Sequence, residues 1–348
     1  MQLHDLKQLG SAATTATLPV QLSQIITRQT ASGKPFIDLE VADATDCIRL
    51  KVWSDTDAFE FCQTAQAGEI CALDGEFYIN DFGVNITRPS LSYLDDSEIE
   101  SFLQGSPERS RELEAHWNYI TDLFENLSDP RLKLLTTTVL IDLADKWKRA
   151  GAARSYHHAR RGGLLEHTAQ MLKVSQVLAP QYPEVWPDLL HTGVLFHDIG
   201  KCWENDYPAS GFTARATRMG ELLGHITIGV EVVNKYWNQL RESDPEVFET
   251  AKPPSELLKE HLLHLILSHH GQFDFGSPVT PKIPEAWMLH YIDNLDARME
   301  MLRGSYAGNP ELEPNLYQAN RPLSGYLARP ISKSFHRRDA EDTEREPE

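Results

Sequence analysis

Seven side chains of metal-binding type, His167, His197, Asp198, His225, His269, His270 and Asp293, follow one another through segments whose apolar residues recur at three- and four-residue steps. That spacing puts the apolar residues of each segment on one face of a helix. Helices are therefore expected over 110–127, 131–149, 164–179, 188–199, 218–240, 255–270 and 285–303. Gly200 and Gly271 are the expected stops, because Gly tolerates a left-handed cap. Imidazoles and carboxylates at helix ends can converge across a bundle core, as they do in helix-bundle metal sites. The series thus requires the C-terminal part of the chain to pack several helices around one point.

A lone His on an apolar helix is usually packed in the core or simply exposed, and His4, His116, His191, His261, His264 and His336 are read that way. His197-Asp198 before Ile199-Gly200-Lys201 is different. A buried ionised pair is costly unless it is partnered or binds a metal. The mixture of nitrogen and oxygen donors suits Mn, Fe, Co or Zn, with Mg also open, better than Ca, which prefers oxygens. Seven donors over-supply one ion and suit two divalent ions.

Residues from about 16 to 94 carry the other periodicity. Phe36–Val41 and Ile48–Val52 alternate apolar and polar residues around the turn-rich 42–46, which predicts a hairpin. Ile70–Phe77 and Val84–Thr87 flank Asn80-Asp81-Phe82-Gly83, a second turn with a Gly free to take positive φ. Several short strands with tight turns predict a small barrel or sandwich. Pro89 and Asp95-Asp96 mark the change to helical spacing. At 348 residues two domains are the default. The expected division is a β module over 1–96, a helical connector over 97–155, the metal-binding domain over 156–310, and an extension with a charged tail over 311–348.

The net charge of −18 opposes nonspecific nucleic-acid binding through phosphate neutralisation, though it does not forbid a local basic channel. The N-terminus lacks a basic start and apolar run, and no stretch of eighteen apolar residues occurs, so a cytoplasmic, non-membrane protein is expected. The four cysteines lack CxxC spacing and are expected to be reduced and mostly buried.

His167, His197-Asp198 and Asp293 match the donor series of the HD superfamily of phosphohydrolases, and His225 with His269-His270 resembles the second-metal donors of its dinuclear members. The wider context, His157-His158-Ala, Gly162-Gly-Leu-Leu-Glu-His167-Thr, Leu223-Gly-His225-Ile, Ser268-His-His-Gly271, Phe275-Gly-Ser-Pro278 and Leu289-His-Tyr-Ile-Asp293-Asn-Leu-Asp296-Ala, resembles the YhaM-type 3′→5′ exoribonucleases from about residue 16 to 325. Gly33-Lys34-Pro35-Phe36 and Val52-Trp53 extend the likeness into the β half. The resemblance implies a small all-β OB-fold barrel followed by an all-α HD domain. It also implies an exonuclease acting from the 3′ end of single-stranded RNA, with DNA open.

Two divalent ions about 3.5–4 Å apart can activate a water and hold both oxygens of an in-line displacement. Asp198 is the candidate bridge. His167, His197 and Asp293 are assigned with it to one ion, and His225, His269 and His270 to the other. Lys201, with Asp198 the second candidate catalytic residue, could neutralise the phosphoryl group or hold Asp198 ionised. Asp296, one turn from Asp293, could hydrogen-bond a metal ligand or pair with Arg298. His157, His158 and Arg161 are candidate substrate contacts, and the loop 273–278 is placed to overhang the site. Phe36, Trp53, Phe77, Tyr78 and Phe82 are candidate base-stacking residues or core, although the β module is itself acidic. A nucleotidase or cyclic-nucleotide phosphodiesterase, and a non-catalytic nucleic-acid-binding or scaffold protein, remain alternatives. The oligomeric state is open, a homo-oligomer among the options.

Overall fold

Both hairpins expected from the N-terminal alternation form. The computed structural model describes residues 1–7, 13–44, 46–80, 83–104, 107–152, 161–207, 215–308, 311–320 and 323–331. After a short helix α1 (Leu3–Leu6) come strands β1 (Thr14–Gln29), β2 (Pro35–Ala42) and β3 (Cys47–Trp53), helix α2 (Asp57–Thr64), and strands β4 (Ile70–Asn80) and β5 (Gly83–Tyr93). In the first hairpin Phe36 opposes Trp53 and Ala42 opposes Cys47. In the second, Asn80 opposes Gly83, whose φ of +99° is available to Gly at no steric cost.

The barrel does not close. The five strands form one antiparallel sheet in the order β3-β2-β1-β4-β5, so β3 and β5 are edges and share no ladder. β1 spans the sheet: its first half pairs with β4 and its second half with β2, with a bulge between Leu22 and Gln24. Alternation tells which side chains face inward, and leaves open which edges pair. The eight-residue helix α2, which the sequence reading missed, contacts β2, β3 and β5 and buries Ala58, Phe59 and Cys62 against them. Side chains rather than a ladder therefore cover the inner face between the edges. Pro89, taken as a boundary, lies within β5, an edge strand beside a register shift, where a missing N–H is tolerated.

The helical half is α3 (Asp96–Gln104), α4 (Pro107–Glu125), α5 (Pro130–Arg149), α6 (Gly163–Leu178), α7 (Pro187–Phe196), α8 (Lys201–Glu204), α9 (Arg218–Ser243), α10 (Pro245–Thr250), α11 (Ser255–Ser268) and α12 (Pro284–Gly308). The seven long helices lie within a few residues of the apolar stripes that predict them. The half is not purely α. A two-stranded ladder of β6 (Asn205–Asp206) and β7 (Arg215–Ala216), and a three-stranded sheet of β8 (Glu311–Glu313), β9 (Leu316–Gln318) and β10 (Tyr326–Ala328), are too short to give a periodic signal.

Two separate apolar cores result. One lies inside the sheet and includes Leu22, Ile37, Leu39, Leu73 and Phe77. The other joins α4 through α12 and includes Leu135, Leu165, Phe196, Trp237, Leu265 and Ile292. All four cysteines are free, with Cys47 exposed and Cys62, Cys71 and Cys202 buried. No helix among the described residues is long and apolar enough to cross a membrane.

Candidate metal centre

Glycine sets the approach of the helices at the centre. Gly162, in the left-handed region at φ +77°, opens α6, and a Cβ there would stand 2.8 Å from Leu113. Four residues into α6, His167 is fully buried. Helix α7 ends at Phe196, and the turn His197-Asp198-Ile199-Gly200 leads into α8. Gly200 is not the left-handed cap expected of it: its φ is −61°. Its need is for space, because a Cβ would fall 1.9 Å from the His225 carbonyl oxygen. Gly224, at φ 68° and ψ 160°, breaks the helical path of α9 one residue before His225. Gly271 does take the left-handed conformation, at φ +77°, after His269 and His270 close α11.

These elements bring the donors into two groups, His167 with His197 and Asp293, and His225 with His269 and His270, each with its donor atoms within 4.8 Å of one another. Asp198 lies between them. Its Oδ2 is 3.4 Å from His197 Nε2 and 3.9 Å from His167 Nε2, while its Oδ1 is 3.4 Å from His225 Nε2 and 3.8 Å from His269 Nε2. The Nε2 atoms of His167 and His197 are 3.2 Å apart, and His167 Nε2 is 3.3 Å from Asp293 Oδ1.

Each imidazole is fixed by its other nitrogen. His167 Nδ1 donates to Asp296 Oδ2 at 2.7 Å, His197 Nδ1 to the Val194 carbonyl at 2.8 Å, His269 Nδ1 to the Ile266 carbonyl at 2.7 Å, and His270 Nδ1 to the Phe275 carbonyl at 2.7 Å. His225 Nδ1 is 3.3 Å from Glu204 Oε1. An acceptor at Nδ1 holds one ring proton there and turns Nε2 toward the centre, where a neutral ring offers its lone pair.

The residues fit divalent cations. Asp198 Oδ1, His225 Nε2 and His269 Nε2 are buried and have no hydrogen-bond partner among the described residues. Leaving such atoms unsatisfied is costly, and a cation satisfies all three. Lys201 donates to Asp198 Oδ2 at 2.9 Å and to the Ala152 carbonyl, while Asp293 and Asp296 face His167 and Glu204 faces His225. Burial opposes the charge on Asp198, but Lys201, His197 and His225 outweigh it and hold the carboxyl well below the usual range. Burial likewise opposes charge on His167, yet Asp293 and Asp296 push it up to about 10. His269 lies well below the ordinary imidazole value because it is buried beside His270 and His197. Burial, with His225, lowers His270.

Residues 164–298, which contain all seven donors, match the HD domain family. Proteins named 3′-5′ exoribonuclease YhaM from Oceanobacillus iheyensis, a Geobacillus species and Bacillus subtilis are each 32% identical to the chain. The alignments cover 78%, 81% and 78% of this chain, and 81%, 82% and 81% of those proteins. The chain belongs to the YhaM family. It carries an HD-type metal-dependent phosphohydrolase domain with two donor groups able to hold divalent ions. No solved structure matches it.

Lys201 in this YhaM-family chain stands 2.9 Å from Asp198 Oδ2. Asp296 meets His167, the first of its two expected partners. Arg161 stands just before α6, half-buried near Arg149, and its carbonyl accepts from Arg109. His157 and His158 lie outside the described residues, as does Phe82. Of the other candidate stacking residues, Phe77 is core, and Phe36 packs on Trp53 across the first hairpin. Sequence reasoning missed Glu204, which no spacing rule ties to His225. It also missed His290, whose Nδ1 donates to the His269 carbonyl at 2.8 Å and whose ring lies against Gly271. The signal for His290 was its place one helical turn before Asp293.

Proposed function

We propose that this chain is a metal-dependent phosphodiesterase that removes nucleotides stepwise from the 3′ end of single-stranded RNA, single-stranded DNA being a second polymer to test. The observation that carries this reading is Asp198, whose two oxygens face two different histidine groups in a chain related to proteins named 3′-5′ exoribonucleases. In this reading His167, His197 and Asp293 would hold one divalent ion and His225, His269 and His270 the other, with Asp198 between the two groups as a shared ligand. Mn, Co, Fe, Mg and Zn are the candidates. Bound ions of this kind polarise a phosphoryl oxygen and make a water nucleophilic at neutral pH.

The chain's own residues supply the rest. Lys201 keeps Asp198 anionic so that both its oxygens stay available. Asp296, Glu204 and the carbonyls of Val194, Ile266 and Phe275 hold five rings with Nε2 inward. No group in the set reads a base, which suits cutting without regard to sequence. We read 1–96 as a separate module that positions the strand, 97–155 as its connector, 156–310 as the catalytic unit and 311–348 as an extension.

The test is metal-loaded protein with 3′- and 5′-labelled RNA, a mononucleotide panel and an Asp198→Ala control. Stepwise shortening from the 3′ end, lost in the variant, is expected. Phosphate release from mononucleotides alone would move the activity to a nucleotidase, and binding without turnover in any of the ions would point to a scaffold.

A further inference from the structure

Four aromatic rings stand in solvent on the two elements that carry His270 and Asp293. Phe273 and Phe275, 68% and 53% exposed, rise from the single 3-10 turn after His270, and Trp287 and Tyr291, 45% and 64% exposed, lie on α12. Contiguous exposed apolar surface marks an interaction site. The two pairs are linked through His290. The His290 ring lies against Gly271, two residues before Phe273, and is 6.4 Å from the ring of Trp287 and 5.2 Å from that of Tyr291. Trp287 and Tyr291 are nearly parallel, with centroids 6.0 Å apart and planes 24° apart. The turn that lifts the phenyl rings also aims His270, through the Phe275 carbonyl.

We infer that Phe273, Phe275, Trp287 and Tyr291 form a stacking platform for the unpaired bases of the strand whose terminal phosphodiester enters the metal centre, an inference that rests on the exonuclease reading. Charge decides for bases over backbone as the recognised group. A chain of net charge −18 is poorly suited to collect a polyanion by neutralising phosphates. Stacking on aromatic faces needs no cation and tolerates every base. In sequence the rings flank the donors, Phe273 three residues after His270 and Tyr291 two residues before Asp293. The platform lies in the helical half rather than on the N-terminal sheet, where Phe77 is core. Leu295 and Met299, 49% and 42% exposed, continue the Trp287–Tyr291 stripe along α12. A second copy of this chain is therefore the rival occupant.

Metal-loaded wild type, Phe273→Ala, Trp287→Ala and Trp287→Phe are compared on an unstructured single-stranded RNA and on bis(p-nitrophenyl) phosphate, a diester without bases. Each alanine variant is expected to raise KM for RNA by about 5- to 150-fold, the range for losing one base–aromatic stack, and to hydrolyse the small diester at the wild-type rate. Trp287→Phe should keep most of the RNA affinity. It should also lose the part of the tryptophan fluorescence that a phosphorothioate RNA quenches in wild type. Unchanged KM for RNA in both alanine variants would overturn the platform. So would a concentration-dependent dimer that Trp287→Ala dissociates while KM for RNA stays put, which would give the face to a second copy. Wild type that cleaves the small diester and no RNA would instead remove the exonuclease reading on which the platform stands.

Discussion

Asp296 Oδ2 accepts from His167 Nδ1 at 2.7 Å, with both side chains buried. The carboxylate fixes the ring's tautomer and direction and adds negative charge behind it. Removing such a partner typically costs about 10- to 100-fold in metal affinity or activity. Asp296→Ala is expected to weaken binding of one ion by about that factor while the other stays bound. Asp296→Asn, which still offers an oxygen to Nδ1–H, should recover part of it. Isothermal titration of the stripped protein with Mn²⁺ separates the two variants, and equal losses for both ions would show that the groups do not bind independently.

Among the described residues Lys201 supplies the ammonium that touches Asp198, and its second bond, to the Ala152 carbonyl, holds it in place. Without it, burial raises the proton affinity of Asp198 against the weaker opposition of His197 and His225. Lys201→Met should move the acid limb of the pH–rate profile on a small diester to higher pH and lower the rate at neutral pH. A uniform loss with no displaced limb would mean that Lys201 acts on the substrate instead.

His167 gives the metal-stripped protein a definite dependence on pH. Its folded pKa, raised to about 10, lies above the ordinary 6.5. A raised folded value contributes stability that is complete below the unfolded pKa and is lost as pH rises through the folded one. The stripped protein should therefore lose this contribution between about pH 6.5 and 10. Cation binding at Nε2 must release the proton, so metal affinity should rise across the same window. Paired melting curves in EDTA and in Mn²⁺ are expected to separate progressively from pH 6.5 upward. A gap that narrows with pH would contradict protonation of His167 in the stripped site.

Much of this centre was legible because each donor carries its own local mark: a His in a helical stripe, a His-Asp pair before Ile-Gly-Lys, a His pair before Gly. The seven long helices followed from spacing alone. What escaped was whatever depends on distant partners. The OB-fold barrel failed because alternation along β3 and β5 cannot say whether those edges join, and α2 was too short to register. The carbonyls of Val194, Ile266 and Phe275 position histidines through backbone atoms that every residue possesses. Glu204 reaches His225 through a turn whose geometry no linear pattern encodes. Gly200 was noticed for the wrong reason, since its conformation is ordinary and its neighbour is what forbids a side chain.

Gly200 and Gly224 test that distinction, because they serve the same histidine by different means. A Cβ at Gly200 would sit 1.9 Å from the His225 carbonyl oxygen and 2.8 Å from the Gly229 nitrogen, backbone atoms with no rotamer to yield. At Gly224 a Cβ meets nothing within 4 Å, but φ is +68°, a region in which a residue other than Gly costs about 1–3 kcal/mol. Gly200→Ala must therefore push α9 away from Asp198 and is expected to lose the ion held by His225, His269 and His270, together with stability beyond the ~1–3 kcal/mol of ordinary overpacking. Gly224→Ala should fold with that smaller penalty, keep both ions and bind one of them more weakly. Metal content per chain and thermal unfolding, measured on the same samples, decide the matter. Two tightly held ions in Gly200→Ala would show that the close approach of the Asp198 turn to α9 is not what builds the second group.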